Sequence, residues 1–445
     1  MPSTLPRMLS IVALAMWLLV GADADDARTA DAFPLQDGDT WVMVGDSITA
    51  QHLHSNYFEA FCFARYPKLT FCFRNSGVGG DTIPRVLARF DWDVAPWKPT
   101  VVSVELGMND QGGFTPDKFI AGMGTLDQTI RSAGARPVYF TASPVNSGDT
   151  LAKLTRNARL RDYAVALKSF AAQQKAPFAD QFHAVIDVWA NNKPQEGLFN
   201  LLAAAKPLAQ DDKIAGIEHL RAFLAEQAKA PNQPVSMLGD PVHPGAPGQL
   251  TMAAALLKAL GAESFVSSAT LDAAGKVSEA KGCTIENVQT AERGLTFERL
   301  DECLPFPIPD DARNVIPLFP TILDLSQYTL RVTGLPPLSY ELKVDGSLVA
   351  TVSHDMLEQG VNLTAFDQGP IAAQGKAILG AVGAKEGLVG QWRGLSRTAS
   401  AADAPAEQKR QLATLAEQID KADAAIRKAA TTKKLRFEIV PVKVN

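Results

Sequence analysis

The sequence predicts an α/β fold: a parallel sheet between two layers of helices, followed by a β-rich domain that carries a helical hairpin. Three patterns predict it. From about residue 38 to 262, short apolar runs rich in β-branched residues alternate with helical stretches. Those runs are apolar at successive positions, as strands are when helices cover both faces of a parallel sheet. Right-handed crossovers turn such an alternation into a three-layer αβα sandwich. After Glu263 proline becomes frequent and the pattern switches to period-two alternation, then to two helical segments.

Trp41-Val42-Met43-Val44 reads as the first buried strand, followed by a helix from about Ala50 to Arg65. Leu69 to Arg74 and Thr100 to Leu106 are the second and third strands. Helix Pro116 to Ser132 leads to strand Pro137 to Thr141, and helix Leu154 to Gln174 leads to a fifth strand, Ala184 to Trp189. The Ala- and Leu-rich stretch between Asn191 and Gln233 reads as two inserted helices. A last helix runs from about Gly248 to Leu260, with Gly261 as its C-terminal cap. Beyond the proline-rich stretch Leu304 to Pro320, Tyr328 to Val332 and Tyr340 to Val344 alternate as half-buried strands. Asp345-Gly346 before Leu348 to Val352 marks a tight β-hairpin. A helix from about Ile371 to Trp392 follows, then a small, polar connection expected to be mobile, Ser396 to Ala406. In the next helix Leu412, Leu415, Ile419, Ala422, Ile426 and Ala429 recur at steps of three and four, a seam that suits an antiparallel pair. Arg436 to Val442 returns as a strand.

At 445 residues the chain has room for two or three domains of roughly 150 residues. A hydrophobic share of 46% and a charged share of 20% exclude wholesale disorder. With 43 basic against 48 acidic residues, the net charge of −5 excludes a dedicated nucleic-acid binder, which needs a strongly basic face. Residues 1–24 read as a signal peptide. Arg7 is the positive start, Met8 to Val20 the apolar run, and Ala22-Asp23-Ala24 the cleavage pattern. The run falls short of the about 20 residues that span a bilayer, so the expectation is export, secreted or periplasmic, without stable membrane insertion. Export permits disulfides. Cys62 with Cys72 and Cys283 with Cys303 are the simplest local pairs, and buried free thiols are the alternative. None of the four is expected to be a nucleophile, since neither pair has an adjacent basic group to lower its pKa.

Four short motifs fall where an α/β enzyme keeps its site, beyond the carboxyl ends of the strands. Gly45-Asp46-Ser47 follows the first strand, placing Ser47 at a helix N-terminus where a developing anion is favoured. A helix-capping serine is the alternative. Asn75-Ser76-Gly77-Val78-Gly79-Gly80-Asp81-Thr82 follows the second strand, and its glycines allow a backbone N–H to approach a substrate oxygen. Gly107-Met108-Asn109-Asp110 follows the third, where Asn109 either donates to the same oxygen or satisfies its own loop. Asp240-Pro241-Val242-His243-Pro244 precedes the last helix. A carboxylate and an imidazole three residues apart can bond locally, fixing the tautomer that lets histidine take a serine proton. The remaining histidines, His52, His54, His183, His219 and His354, read as surface or packing residues.

These motifs together resemble the SGNH or GDSL hydrolase superfamily. The matching residues are Ser47 in Gly-Asp-Ser-Ile, Gly80 in Gly-Gly-Asp-Thr, Asn109 in Gly-Met-Asn-Asp and His243 in Asp-Pro-Val-His-Pro, over about residues 38 to 262. Ile48-Thr49 departs from the leucine that often follows Gly-Asp-Ser. The resemblance implies a flavodoxin-like hydrolase domain at 38–262; the alternating pattern beyond it reads as a β-rich accessory domain at 263–445 with a helical insertion at about 370–432. It implies ester hydrolysis with neither metal nor cofactor. Ser47 would be the nucleophile, His243 the base and Asp240 its orienting acid. The backbone N–H groups of Ser47 and Gly80 and the Asn109 side chain would hold the oxyanion. Asp46, Asp81 and Asp110 would fix the loops. A metal-dependent phosphoesterase would need more clustered ligands than the chain offers. An acyltransferase acting on polysaccharide with the same triad stays open, as does a glycan-binding or scaffold role for the C-terminal half. The partner expected is a small-molecule or polysaccharide ester.

Overall fold

The computed structural model describes residues 33–145, 157–214, 216–228 and 240–442. The expected signal peptide lies outside them. Five parallel strands form the first sheet: β1 (Asp39–Gly45), β2 (Phe71–Gly77), β3 (Val101–Glu105), β4 (Arg136–Phe140) and β5 (Phe178–Ala179). Their order is β2-β1-β3-β4-β5, the flavodoxin-like arrangement. The chain moves one way from β1 to β2 and the other way to β3. The crevice between the ends of β1 and β3 is therefore the place where ligands bind in such sheets.

The helices of this unit are α1 (Ser47–Ala50), α2 (His54–Arg65), α3 (Ile83–Arg89), α4 (Pro116–Ser132), α5 (Ala158–Gln173), α6 (Gln181–Leu208), α7 (Ile217–Ala228) and α8 (Ala246–Ala259). Two differ from expectation. The helix expected from Ala50 to Arg65 is broken into α1 and α2 at His52, whose φ of 57° is left-handed. The stretch Ala184 to Trp189 is not the fifth strand but part of α6. Asp180 caps that helix by accepting the His183 N–H at 3.1 Å. Val185, Val188 and Trp189 are buried while Asp187 is exposed, a helical spacing that a short apolar run conceals. The true fifth strand is two residues long.

The β-rich unit contains two more sheets, ordered β13-β10-β6-β7 and β12-β11-β14-β9-β8. The strands read from sequence are here β10 (Gln327–Thr333), β11 (Ser339–Val344), β12 (Ser347–Ser353) and β14 (Leu435–Pro441). To these the structure adds β6 (Phe265–Asp272), β7 (Val277–Lys281), β8 (Cys283–Ala291), β9 (Gly294–Asp301) and β13 (Val361–Asn362). Val266, Leu330, Tyr340, Leu342 and Phe437, from both sheets, share one core. Two short helices, α9 (Thr321–Asp324) and α10 (His354–Gln359), complete the unit.

The helical hairpin is α11 (Gly369–Ala399) and α12 (Ala406–Ala429). Ser396 to Ala399 continue α11, and Ser396 is buried with its hydroxyl donating to the Trp92 carbonyl at 2.7 Å, so the expected connection shrinks to a six-residue turn. Ile378, Val382 and Ile426 of the hairpin belong to the core of the parallel-sheet unit. The hairpin also covers β2, the edge strand of that sheet. Arg427 donates to the carbonyls of Leu69 and Phe71, Lys385 to Phe73 at 2.9 Å, and Arg393 to Gly77 at 2.9 Å. Alternate carbonyls of an edge strand point away from its single neighbour, and here cationic side chains take them in place of water or another strand.

All four cysteines are free thiols. Phe71 and Phe73 pack against Phe63 and Phe58 of α2, so strand alternation turns Cys72 to the face opposite Cys62. Cys283 and Cys303 sit against different carbonyls of β6, Ser268 and Val266.

Candidate active site

The site is assembled from the ends of β1, β2 and β3 and the loop before α8. At the end of β1 the chain turns straight into α1, with no room for a side chain at the turn. A Cβ on Gly45 would fall 2.0 Å from Thr49 Oγ1. Asp46 is the N-cap of α1, its Oδ1 accepting the Ile48 N–H at 2.9 Å. Capping is thus done by Asp46, which leaves the Ser47 hydroxyl half-buried and available.

His243 Nε2 lies 2.7 Å from Ser47 Oγ, and His243 Nδ1 lies 2.7 Å from Asp240 Oδ2. The other oxygen of Asp240 accepts the backbone N–H groups of Val242 at 2.7 Å and His243 at 2.9 Å. These N–H bonds and the His243 ring hold the Asp240 carboxyl below its usual range. Asp240 is therefore a carboxylate, Nδ1 donates to it, and the Nε2 lone pair faces the serine hydroxyl.

Gly80 adopts a φ of 73°, a left-handed turn that favours glycine and directs the loop after β2. Asn109 Nδ2 donates to the Asp81 carbonyl at 2.9 Å and stands 3.4 Å from Asp46 Oδ2. The Asn109 amide thus ties the three strand-end loops together. Asp110 Oδ1 accepts the Ile83 N–H at 3.1 Å, and Asp81 Oδ2 accepts Arg89 Nε at 2.7 Å, so both acids brace backbone around the site. Burial, reinforced by the charge of Glu105, pushes the Asp46 carboxyl up to about 7, against the pull of the Ile48 N–H.

Beneath the site is a buried polar group that the sequence reading missed. Gln249 Oε1 accepts both the His54 backbone N–H at 3.0 Å and His54 Nδ1 at 2.7 Å, which makes Nδ1 a donor. His54 Nε2 lies 3.0 Å from Glu105 Oε2, and Glu105 also accepts Thr49 Oγ1 at 2.9 Å and Gln181 Nε2 at 2.8 Å. Burial disfavours a charge on His54, but Glu105 and Gln249 outweigh it and raise its pKa. The His54 ring links the start of α2 to β3 and α8, beside the turn that presents Ser47. Glu105, the one charged residue in the run Val101 to Leu106, was the available signal.

Residues 43–250 match the GDSL-like lipase/acylhydrolase family. This segment belongs to that family. The protein is accordingly a serine ester hydrolase, with the αβα layer as its hydrolase fold. Over the whole chain the fold is similar to that of a gut microbial diltiazem-metabolizing enzyme, at 20% identity and a TM-score of 0.70, covering 92% of this chain and 99% of that one. The β-rich unit and hairpin therefore recur with the hydrolase layer as one architecture. An acetylxylan esterase from Geobacillus stearothermophilus is similar over 51% of this chain and 95% of its own, at 19% identity and a TM-score of 0.36. No curated protein sequence matches.

Proposed function

We propose that the protein is exported and cleaves short-chain acyl esters, O-acetyl groups on carbohydrate among them, through an acyl-enzyme on Ser47. The observation that carries the mechanism is the continuous line from Asp240 to His243 to Ser47 Oγ, with 2.7 Å at each step. His243 Nε2 takes the hydroxyl proton as Ser47 Oγ attacks the acyl carbon. The same proton then passes to the departing alkoxide, and water, deprotonated by His243, releases the acid. Negative charge on the tetrahedral oxygen falls to the N–H groups of Ser47 and Gly80 and to the Asn109 amide, whose bond to the Asp81 carbonyl sets its direction. Export rests on the charged, apolar and small-residue segments of residues 1–24. Carbohydrate as the alcohol rests on export together with the β-rich appendage.

The test is Ser47→Ala with a chromogenic acetate ester: hydrolysis should vanish while the circular dichroism spectrum is kept. Full activity in that variant removes the mechanism. Acetylated polysaccharides assayed beside lipid and aryl esters, with free acetate and transferred acetyl measured separately, decide the substrate and separate hydrolysis from acyl transfer.

A further inference from the structure

We infer that Arg393, on the helical hairpin, is a positioning residue for the loop that offers Gly80 and orients Asn109, so that the C-terminal half of the chain sets the rate at Ser47. The inference rests on the catalytic reading above and extends it to residues outside the family segment. Arg393 lies in the last two turns of α11, and its guanidinium reaches the carboxyl end of β2. Nη1 donates to the Gly77 carbonyl at 2.9 Å, while Nε and Nη2 grip Asp93 at 2.6 and 2.8 Å. Asp93 is fully buried and also accepts the Ser76 hydroxyl at 2.8 Å and Arg89. Arg89 in turn donates to the Ser76 carbonyl at 2.7 Å and to Asp81 at 2.7 Å.

Two guanidiniums, one local and one from 316 residues further along the chain, therefore share a single carboxylate under the segment Ser76 to Asp81. Every polar group they grip belongs to that segment or to Asp93. The segment ends at the Asp81 carbonyl that receives the Asn109 amide. Arg393 touches no reacting atom. Its effect passes through the position of the loop, and a displacement of about 1 Å there is worth on the order of 100-fold in rate. The planar fork places two N–H groups on the two oxygens of Asp93 and a third on the Gly77 carbonyl in fixed directions; a lysine ammonium keeps the charge but not that bidentate grip. Two other cations of the hairpin, Lys385 and Arg427, hold the Phe73 and Phe71 carbonyls lower on β2, away from the site.

Arg393→Lys, Arg393→Ala and Ser47→Ala are compared in the full-length protein. Rates of the arginine variants are normalised to active sites titrated with an organophosphonate, that of Ser47→Ala to protein concentration, and folding is followed by thermal melting. The expected result is a fall in kcat of about 10- to 100-fold in both arginine variants with KM changed less than about threefold, and a parallel loss of affinity for phenylboronic acid, whose tetrahedral adduct uses the same donors. Arg393→Lys keeps a cation beside Asp93 and is expected to melt near the wild type, so its rate loss is not a loss of folded protein. Unchanged kcat and boronate affinity in Arg393→Lys overturn the inference, as does a change in KM alone. Full activity in Ser47→Ala overturns the catalytic reading instead. Ser47→Ala inactive beside fully active Arg393 variants overturns only the role of Arg393.

Discussion

Two Asp-x-x-His pairs stand on the rim of this protein, and locally they are nearly the same object. In Asp240–His243 the carboxylate meets the ring at 2.7 Å and the histidine N–H at 2.9 Å. In Asp180–His183 the distances are 2.6 and 3.1 Å. One imidazole continues to Ser47; the other tops the first turn of α6 beyond β5, the far edge of the sheet from β2. The difference teaches that a carboxylate-oriented histidine is a common way to cap a loop or a helix. What sets the first pair apart is the serine-bearing turn across the crevice, built where β1 and β3 part, which in the proposed mechanism makes His243 a base.

The sharpest way to break this contrast is to change both acids identically. Asp240→Asn is expected to lower kcat by about 10³- to 10⁴-fold in an acetate-ester assay, through loss of the orienting charge and tautomer. Comparable activity in this variant and the wild type would show that the two pairs are equivalent after all. Asn109→Ala tests the other half of the site, which the Asp180 pair lacks altogether. Loss of one oxyanion donor is expected to cost about 100- to 1000-fold in kcat with KM little changed. A variant with only a raised KM would make Asn109 a binding residue.

Asp46, the cap of the serine turn, gives a smaller effect seen in stability. Its carboxyl stays protonated up to about 7 in the folded protein, whereas the unfolded chain releases that proton near the ordinary value of 3.8. Between these values the folded state binds more protons, so the group's contribution to stability falls as pH rises. Asp46→Asn has no proton to lose. Urea titrations at pH 4 and pH 7 are expected to show the variant gaining on the wild type across that interval, and a constant difference would remove the assignment. The smallest effect belongs to Asp180→Asn. Asparagine caps a helix as well as aspartate does, so activity is expected within about twofold of wild type and melting unchanged.

Much of the fold was legible because its signals were local and redundant. β1, β3 and β4 carry the short apolar runs Trp41 to Val44, Val101-Val102 and Pro137 to Phe140, and the helix Pro116 to Ser132 carries both its cap and its periodicity. The residues proposed for the site carry a local signal of the same kind, since Ser47, Gly80 and Asn109 lie two to four residues beyond the ends of β1, β2 and β3. What escaped depended on contacts between distant segments. Ala184 to Trp189 satisfies strand and helix patterns equally until Asp180 caps it. Lys385 and Arg393 lie on a helix where cations ordinarily face water, yet Lys385 is fully buried against Glu59 at 2.8 Å. His54 carries no neighbouring motif, and its meaning appears only when Glu105 and Gln249 surround it.

The sealed edge of β2 also sets a timetable. The strand leaves the ribosome with the first eighty or so residues, but the arginine that closes its upper end is encoded 316 residues later. At about 5–20 residues per second, the strand waits roughly 15 to 60 seconds for its cover. Through that interval a newly made chain carries an open β-margin able to pair with a neighbour's, so the nascent protein is most exposed to aggregation before its last helices are made.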